Sequence, residues 1–244
     1  MTWDTASTII NDAGIMLGLW SETVSNPYTS TDLLVVQIRQ ILKSAGRDLL
    51  REFEWSHLRK EYTFTTVNGT ANYSLPSDFQ RVVNQSEWNR TTRLPLGGPL
   101  MPQGWQFLKA LQTVGTVQFF FRVDGDSIRM QPTPAQAATV ALEYVSNYWV
   151  QPDGESAPTA SEPTDADDSI CLDSQMMVHR LRRDFLRAKG MDSAAASEDY
   201  DRALLRAMGN DGAAPVLSLT RQPLSLFQPL NTNANLPPTG YGQT

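Results

Sequence analysis

The chain has 244 residues and a formal net charge of −6, a balance that excludes broad nucleic-acid binding through a basic face. Charged residues make up 19%, below the roughly 25% usual in soluble domains, so part of the surface is expected to be covered in an assembly. The length suits one large domain or two small ones.

Residues 4–20 carry Ile9, Ala13, Met16 and Trp20 at helical spacing, with Asp4 or Thr5 as cap. After the loop "SNPYTSTD", where Ser30, Thr31 and Asp32 are candidate caps, residues 32–57 form the strongest helical pattern. Leu34, Ile38, Ile41, Ala45, Leu49 and Phe53 make its stripe, and its length is roughly 38 Å. Such a helix needs helical partners to bury that face.

The period then changes to two. Tyr62, Phe64, Tyr73 and Leu75 share one face, and Asn68-Gly69 is read as the turn of a hairpin between them. Residues 80–88 read as a third strand. "TRLPLGGPLMPQGW" is a loop, with a short helix expected at 103–111. Val117 to Val123, then Ile128 and Met130 across the turn Asp124-Gly125, make a second hairpin, and Val140 to Val150 a sixth strand. Six antiparallel strands suggest a small sandwich or barrel.

"QPDGESAPTASEPTDADDS", residues 151–169, has almost no large apolar side chain and reads as a linker or mobile loop. Residues 170–189 carry Met177, Leu181, Phe185 and Ala188 on one face. Gly190 stops that helix, and Asp192 or Ser193 caps the next, whose stripe is Ala196, Tyr200, Ala203 and Ala207. The expected class is therefore α+β. A four-helix bundle (1–57 and 170–209) carries an inserted antiparallel β-sandwich or barrel (58–150), a linker (151–169) and an extended C-terminal tail (210–244). In the tail, prolines forbid a long helix. Leu217, Leu219, Leu224, Leu226, Phe227 and Leu230 would lie bare if it floated free, so it is expected to lie on another surface.

Chemistry is harder to find. Cys171 is the single cysteine, which excludes an internal disulfide and a cysteine-based zinc site. His57 and His179 lack metal-ligand spacing, and no GxSxG, P-loop or GxGxxG occurs. Asp124/Asp126 flank a turn glycine, and Asp165/Asp167/Asp168 precede a helix, so both groups read as structural. No enzyme activity, metal or cofactor is expected. "MTWDTASTII" lacks a basic n-region, and no apolar run nears the roughly 18 residues of a membrane span, so synthesis in a cytoplasm is the expectation.

Two constellations suggest contacts. Arg180, Arg183 and Arg187 fall on one side of a helix, as a solvated face or a subunit interface, with DNA phosphate a distant third. Trp88, Trp105 and Trp149, with Tyr148, are either core or a contact surface, for a tail component or for sugar rings.

The order of parts, with Leu75-Pro76-Ser77-Asp78-Phe79-Gln80-Arg81 followed by Glu87-Trp88, resembles the head-to-tail adaptors of short-tailed bacteriophages. These are the tail tubular protein A-like or head-completion proteins. The resemblance implies a structural virion protein at the head–tail junction. It implies a homo-oligomeric ring, dodecameric in that family, between the portal protein and the nozzle or tail tubular protein, and leaves open whether tail fibres attach. DNA would pass through it without sequence-specific contact. The tail leucines and Phe227 would meet the portal, the three arginines a neighbouring subunit, and the three tryptophans the tail component. Ordering some 30 tail residues costs on the order of 30–60 kcal/mol, against about 1.5–3 kcal/mol per buried apolar side chain. The tail is therefore expected to be ordered only in the ring. The alternative is a carbohydrate- or receptor-binding module of a phage tail, and a cell-wall hydrolase comes third.

Overall fold

The computed structural model describes residues 3–110 and 118–211. Helix α1 is Ala6–Met16, and the Thr5 hydroxyl accepts from the Thr8 amide at its start. It ends before the expected residue 20. Gly18 has a φ of +68°, which turns the chain so that the Trp20 ring lies back over Gly14. A Cβ on Gly14 would come within 1.8 Å of that ring. Trp20 thus reaches the helix by folding back, not by helical spacing.

Helix α2 is Leu33–Glu52, and the Asp32 carboxylate accepts from Leu34 N at 2.8 Å. Its 20 residues span about 30 Å, shorter than expected. Phe53 is extended and Ser56–Leu58 forms a 3-10 turn. The alternation of Phe53 and Trp55 already belongs to non-helical backbone.

Strands follow: β1 Arg59–Thr65, β2 Asn72–Ser74, β3 Phe79–Val82, β4 Trp88–Asn89 and β5 Leu94–Pro95. Helix α3, Pro102–Ala110, confirms the short helix in the proline-rich loop. Strands β6 Phe120–Asp124 and β7 Ser127–Gln131 form the expected hairpin, with Asp124 opposite Ser127. Strand β8 is Thr139–Ser146, β9 Val150–Gln151 and β10 Ser169–Ile170.

The pairing departs from the expected meander. β1 pairs along β8, from Arg59 opposite Val145 to Thr65 opposite Thr139. The other edge of β8 takes β3 and β4, and β5 pairs β4. β2, β7 and β6 form a second, three-stranded sheet, and β9 with β10 a third. So 59–65 and 72–74 are no hairpin. Tyr62, Phe64 and Tyr73 do share a face, with ring centroids of Phe64 and Tyr73 4.8 Å apart, but from different sheets. Asn68-Gly69 does form the expected tight turn, closed by Thr70 N to Val67 O at 3.1 Å, and Gly69, at φ +78°, also gives its amide to Pro134 O, but the strands on either side go to different sheets. The expected strand 80–88 is likewise two strands, broken at Gln85, whose φ is +67°.

Helix α4, Ser174–Ala188, is capped by Asp173, whose carboxylate accepts from Met176 N at 2.8 Å. Gly190, at φ +68°, turns the chain into α5, Ala194–Asp211. α4 packs against α1, α2 and α5. Met177, Leu181 and Phe185 are buried as expected, while Ala188 is exposed in the last turn. The architecture is α+β with antiparallel sheets.

Two apolar cores result. Ile9, Ile38, Leu42, Leu49, Met177 and Leu181 belong to the helical one. Phe121, Ile128, Met130, Val140 and Leu142 belong to the other, between the two larger sheets. β8 serves both: Val140, Leu142 and Tyr144 face the sheet core, while Val145 enters the helical one. Alternation along a strand makes this sharing possible.

Residues 152–168, read as a linker, are held by hydrogen bonds in place of a core. Thr159 N bonds Val150 O at 3.1 Å, and Ala6 N bonds Asp168 O at 2.8 Å. The Asp168 carboxylate accepts from the amides of Thr164 and Asp165 at 2.7 and 2.8 Å.

Candidate functional site

The "LPSDF" stretch holds a polar anchor. Leu75 N bonds Asp126 O and Asn147 N bonds Asp78 O, which fix the segment against two strand ends. The Asp78 carboxylate is 6% exposed. It accepts from Tyr144 OH at 2.8 Å, Ser146 Oγ at 2.7 Å and Lys60 Nζ at 2.8 Å. Burial alone would push this carboxyl up. The bonds from Lys60, Ser146 and Tyr144 outweigh it and hold the group below the usual carboxylate range. Asp78 therefore ties β1, β3 and β8 together and leaves no free acid for chemistry.

The three arginines separate. Arg180 and Arg183 are 7% and 8% exposed. Arg180 donates to Asp184 at 2.7 Å, Asp48 at 3.2 Å, Glu52 at 3.3 Å and Tyr200 OH at 3.0 Å. Arg183 lies 4.2 Å from the centroid of the Tyr200 ring and bonds Asp184. Burial opposes the charge on Arg180, but Asp184 and Tyr200 more than restore it, so it stays protonated throughout the ordinary range. These two side chains join α4 to α2 and α5 within one chain. Of the two, Arg180 alone bonds Asp48 and Glu52. Arg187 alone is exposed, 3.3 Å from Ser197 Oγ.

The tryptophans separate in the same way. Trp149 is fully buried. Its ring lies on Gly46 of α2, where a Cβ would come within 2.2 Å, and its Nε1 donates to Ser161 O at 2.6 Å. Trp105 is 4% exposed, on the inner face of α3. Both side chains lie in the interior of the chain. Trp88, at 41%, remains accessible, as do Met101 and Phe107 around α3.

Cys171 is buried, and burial pushes its thiol up to about 11, so it is an unreactive thiol at neutral pH. Among the described residues no group of three His, Cys, Asp or Glu could hold a metal ion. No described helix is long and apolar enough to cross a membrane.

A groove of about 290 Å³ opens at the end of α5. Trp3, Trp55, His57, Ala207 and Asn210 line it, with the carboxylates of Asp173 and Asp211. The Trp3 and His57 rings are 4.9 Å apart. Asp211 accepts from Ser56 N at 2.8 Å and Ser56 Oγ at 2.7 Å, with His57 Nδ1 3.6 Å away. Sequence reading missed this site because it placed Trp55 and His57 on a helix.

Compared with known families, residues 4–222 match the model described as SU10 adaptor protein. The chain belongs to the SU10 adaptor protein family. No curated protein matches it. As an SU10 adaptor protein it is a phage structural protein, a virion component that contacts other virion components. The anchor at Asp78, the Arg180 cluster and the groove all lie inside the matched stretch. The tail residues singled out above lie outside the described residues. The match takes in Leu217 and Leu219 but stops before Leu224, Leu226, Phe227 and Leu230.

Proposed function

We propose that this SU10 adaptor protein forms a ring between the portal and the tail or nozzle, and that the ring lines part of the DNA-exit channel. Its work is contact, not catalysis, and it needs no cofactor. The helical part builds the ring wall and the C-terminal tail meets the portal. The β-rich part meets the downstream component, with Trp88, Met101 and Phe107 among its exposed apolar side chains. The observation that carries this reading is the family match over 4–222. The net charge of −6 suits a conduit that must not grip DNA, and the low charged fraction suits a surface covered by neighbours.

The test mixes the portal protein of the same particle with the full chain and with a chain ending at Pro223, and images the complexes. A ring of full chains on the portal, lost or much weakened by the truncation, supports the reading and the role of the distal tail. Equal binding by both chains removes the tail from it. Absence of binding by the full chain overturns it.

A further inference from the structure

The groove at the end of α5 has apolar walls and lies where the described chain stops. Asp211, held by Ser56 N and Oγ, is part of its lining, as is Asp173. The next residues are Gly212-Ala213-Ala214-Pro215-Val216-Leu217-Ser218-Leu219. Glycine ends helices readily. Pro215 cannot continue one and biases Ala214 toward extended backbone. Val216, Leu217 and Leu219 then supply apolar side chains. Leu217 is six residues past Asp211, a reach of up to about 20 Å, enough to return along the groove. The family model runs on to residue 222, so this proximal stretch belongs to the shared unit and the distal leucines do not.

We propose that residues 213–219 dock in the groove walled by Trp3, Trp55, His57 and Ala207 of their own chain. Covalent attachment at Asp211 gives them a high effective concentration there, which a neighbouring copy lacks. Trp3 and His57 offer accessible ring surfaces to Val216 and Leu217, backed by the buried Trp55. The exposed Asn210 offers amide groups to an extended backbone. The tail is then two devices: a proximal stretch tied to its own subunit, and a distal stretch from Leu224 onward left to reach a partner. The proposal concerns the isolated chain and does not depend on the ring.

The test places the photo-crosslinking residue p-benzoylphenylalanine at Leu217 or, as control, at Leu226 of the full chain. Crosslinks are mapped by mass spectrometry on mixed light and heavy chains. The proposal expects crosslinks from 217 to peptides carrying Trp3, Trp55–His57 or Ala207, within one chain, at least about tenfold more abundant than from 226. Light–heavy crosslinks would make the groove a site for the neighbouring copy and overturn it, as would scattered crosslinks or equal yields from 226. A Val216→Asp, Leu217→Asp full chain gives a second readout. Faster amide hydrogen exchange over residues 55–58 than in the unaltered chain supports docking, and unchanged exchange there overturns it.

Discussion

Asp78 shows how one side chain can hold three strands. Its carboxylate takes bonds from Lys60, Tyr144 and Ser146, on or beside β1 and β8. An amide in its place turns an N–H₂ toward donors and leaves them short of acceptors. Asp78→Asn should therefore cost about 2–4 kcal/mol at neutral pH, read as a lower urea midpoint. The carboxyl is held below its ordinary value in the folded chain. Its contribution is thus complete above the unfolded pKa of about 3.9 and is lost as pH falls through the lower folded value. The stability gap between the two proteins should stay constant from neutral pH down to about 5 and close below about pH 4; a gap unchanged at pH 3 would refute the assignment. Gly46 makes the complementary case. Alanine gains up to about 1 kcal/mol in a helix interior, but its Cβ would meet the Trp149 ring at 2.2 Å. Overpacking wins, so Gly46→Ala should lower the thermal midpoint by several degrees.

Among the elements, α4 carries the most joints. Its apolar face packs α1 and α2, and Arg180 adds a polar joint to Asp48 and Glu52 of α2 and Tyr200 of α5. Asp48 and Glu52 are nearly half exposed, so solvent screens part of that attraction. Arg180→Ala should still cost about 2–3 kcal/mol, since Asp184 and Tyr200 lose their buried partner. Arg187→Ala, on the exposed last turn, should stay within about 0.5 kcal/mol. Thermal denaturation of the two variants side by side distinguishes the joint from the surface. Equal losses would contradict the division.

For the whole molecule, two cores share one strand. β8 buries residues into each, and Trp149 just beyond its end fills the space against α2. Removing that ring should loosen both parts together. Trp149→Ala is expected to cost about 3–5 kcal/mol and to keep unfolding a single transition, checked by calorimetry; two separated transitions would show that the cores are independent. Assembly is also decided at this scale. Leu33, Met101, Phe107, Leu205 and Met191 remain exposed in a chain poor in charge. Light scattering should show the full chain associating beyond a monomer as concentration rises, and a strictly monomeric chain at every concentration would count against the ring.

The sequence alone determined where helices occur, the caps of α1 and α2, and the class, although not where α1 and α2 end. Asp32 before α2 and Gly190 after α4 are local signals, and a helix needs only its own neighbours in the chain to close its hydrogen bonds. The β6–β7 hairpin was legible for the same reason, through Asp124-Gly125. The order of parts, with the motif around Asp78, pointed to a phage adaptor, although not to what that carboxylate does. Tertiary structure decided the rest. A period of two tells which side chains share a face, and it does not tell which strand lies alongside. β1 and β2 therefore looked like one hairpin and went to different sheets. A polar stripe likewise looks the same whether water or carboxylates face it. Arg180 was drawn inside by Glu52, 128 residues away in the chain, and Trp149 by a glycine on α2. Those distances close only when the helices and sheets pack, and that packing also set the groove beside Asp211.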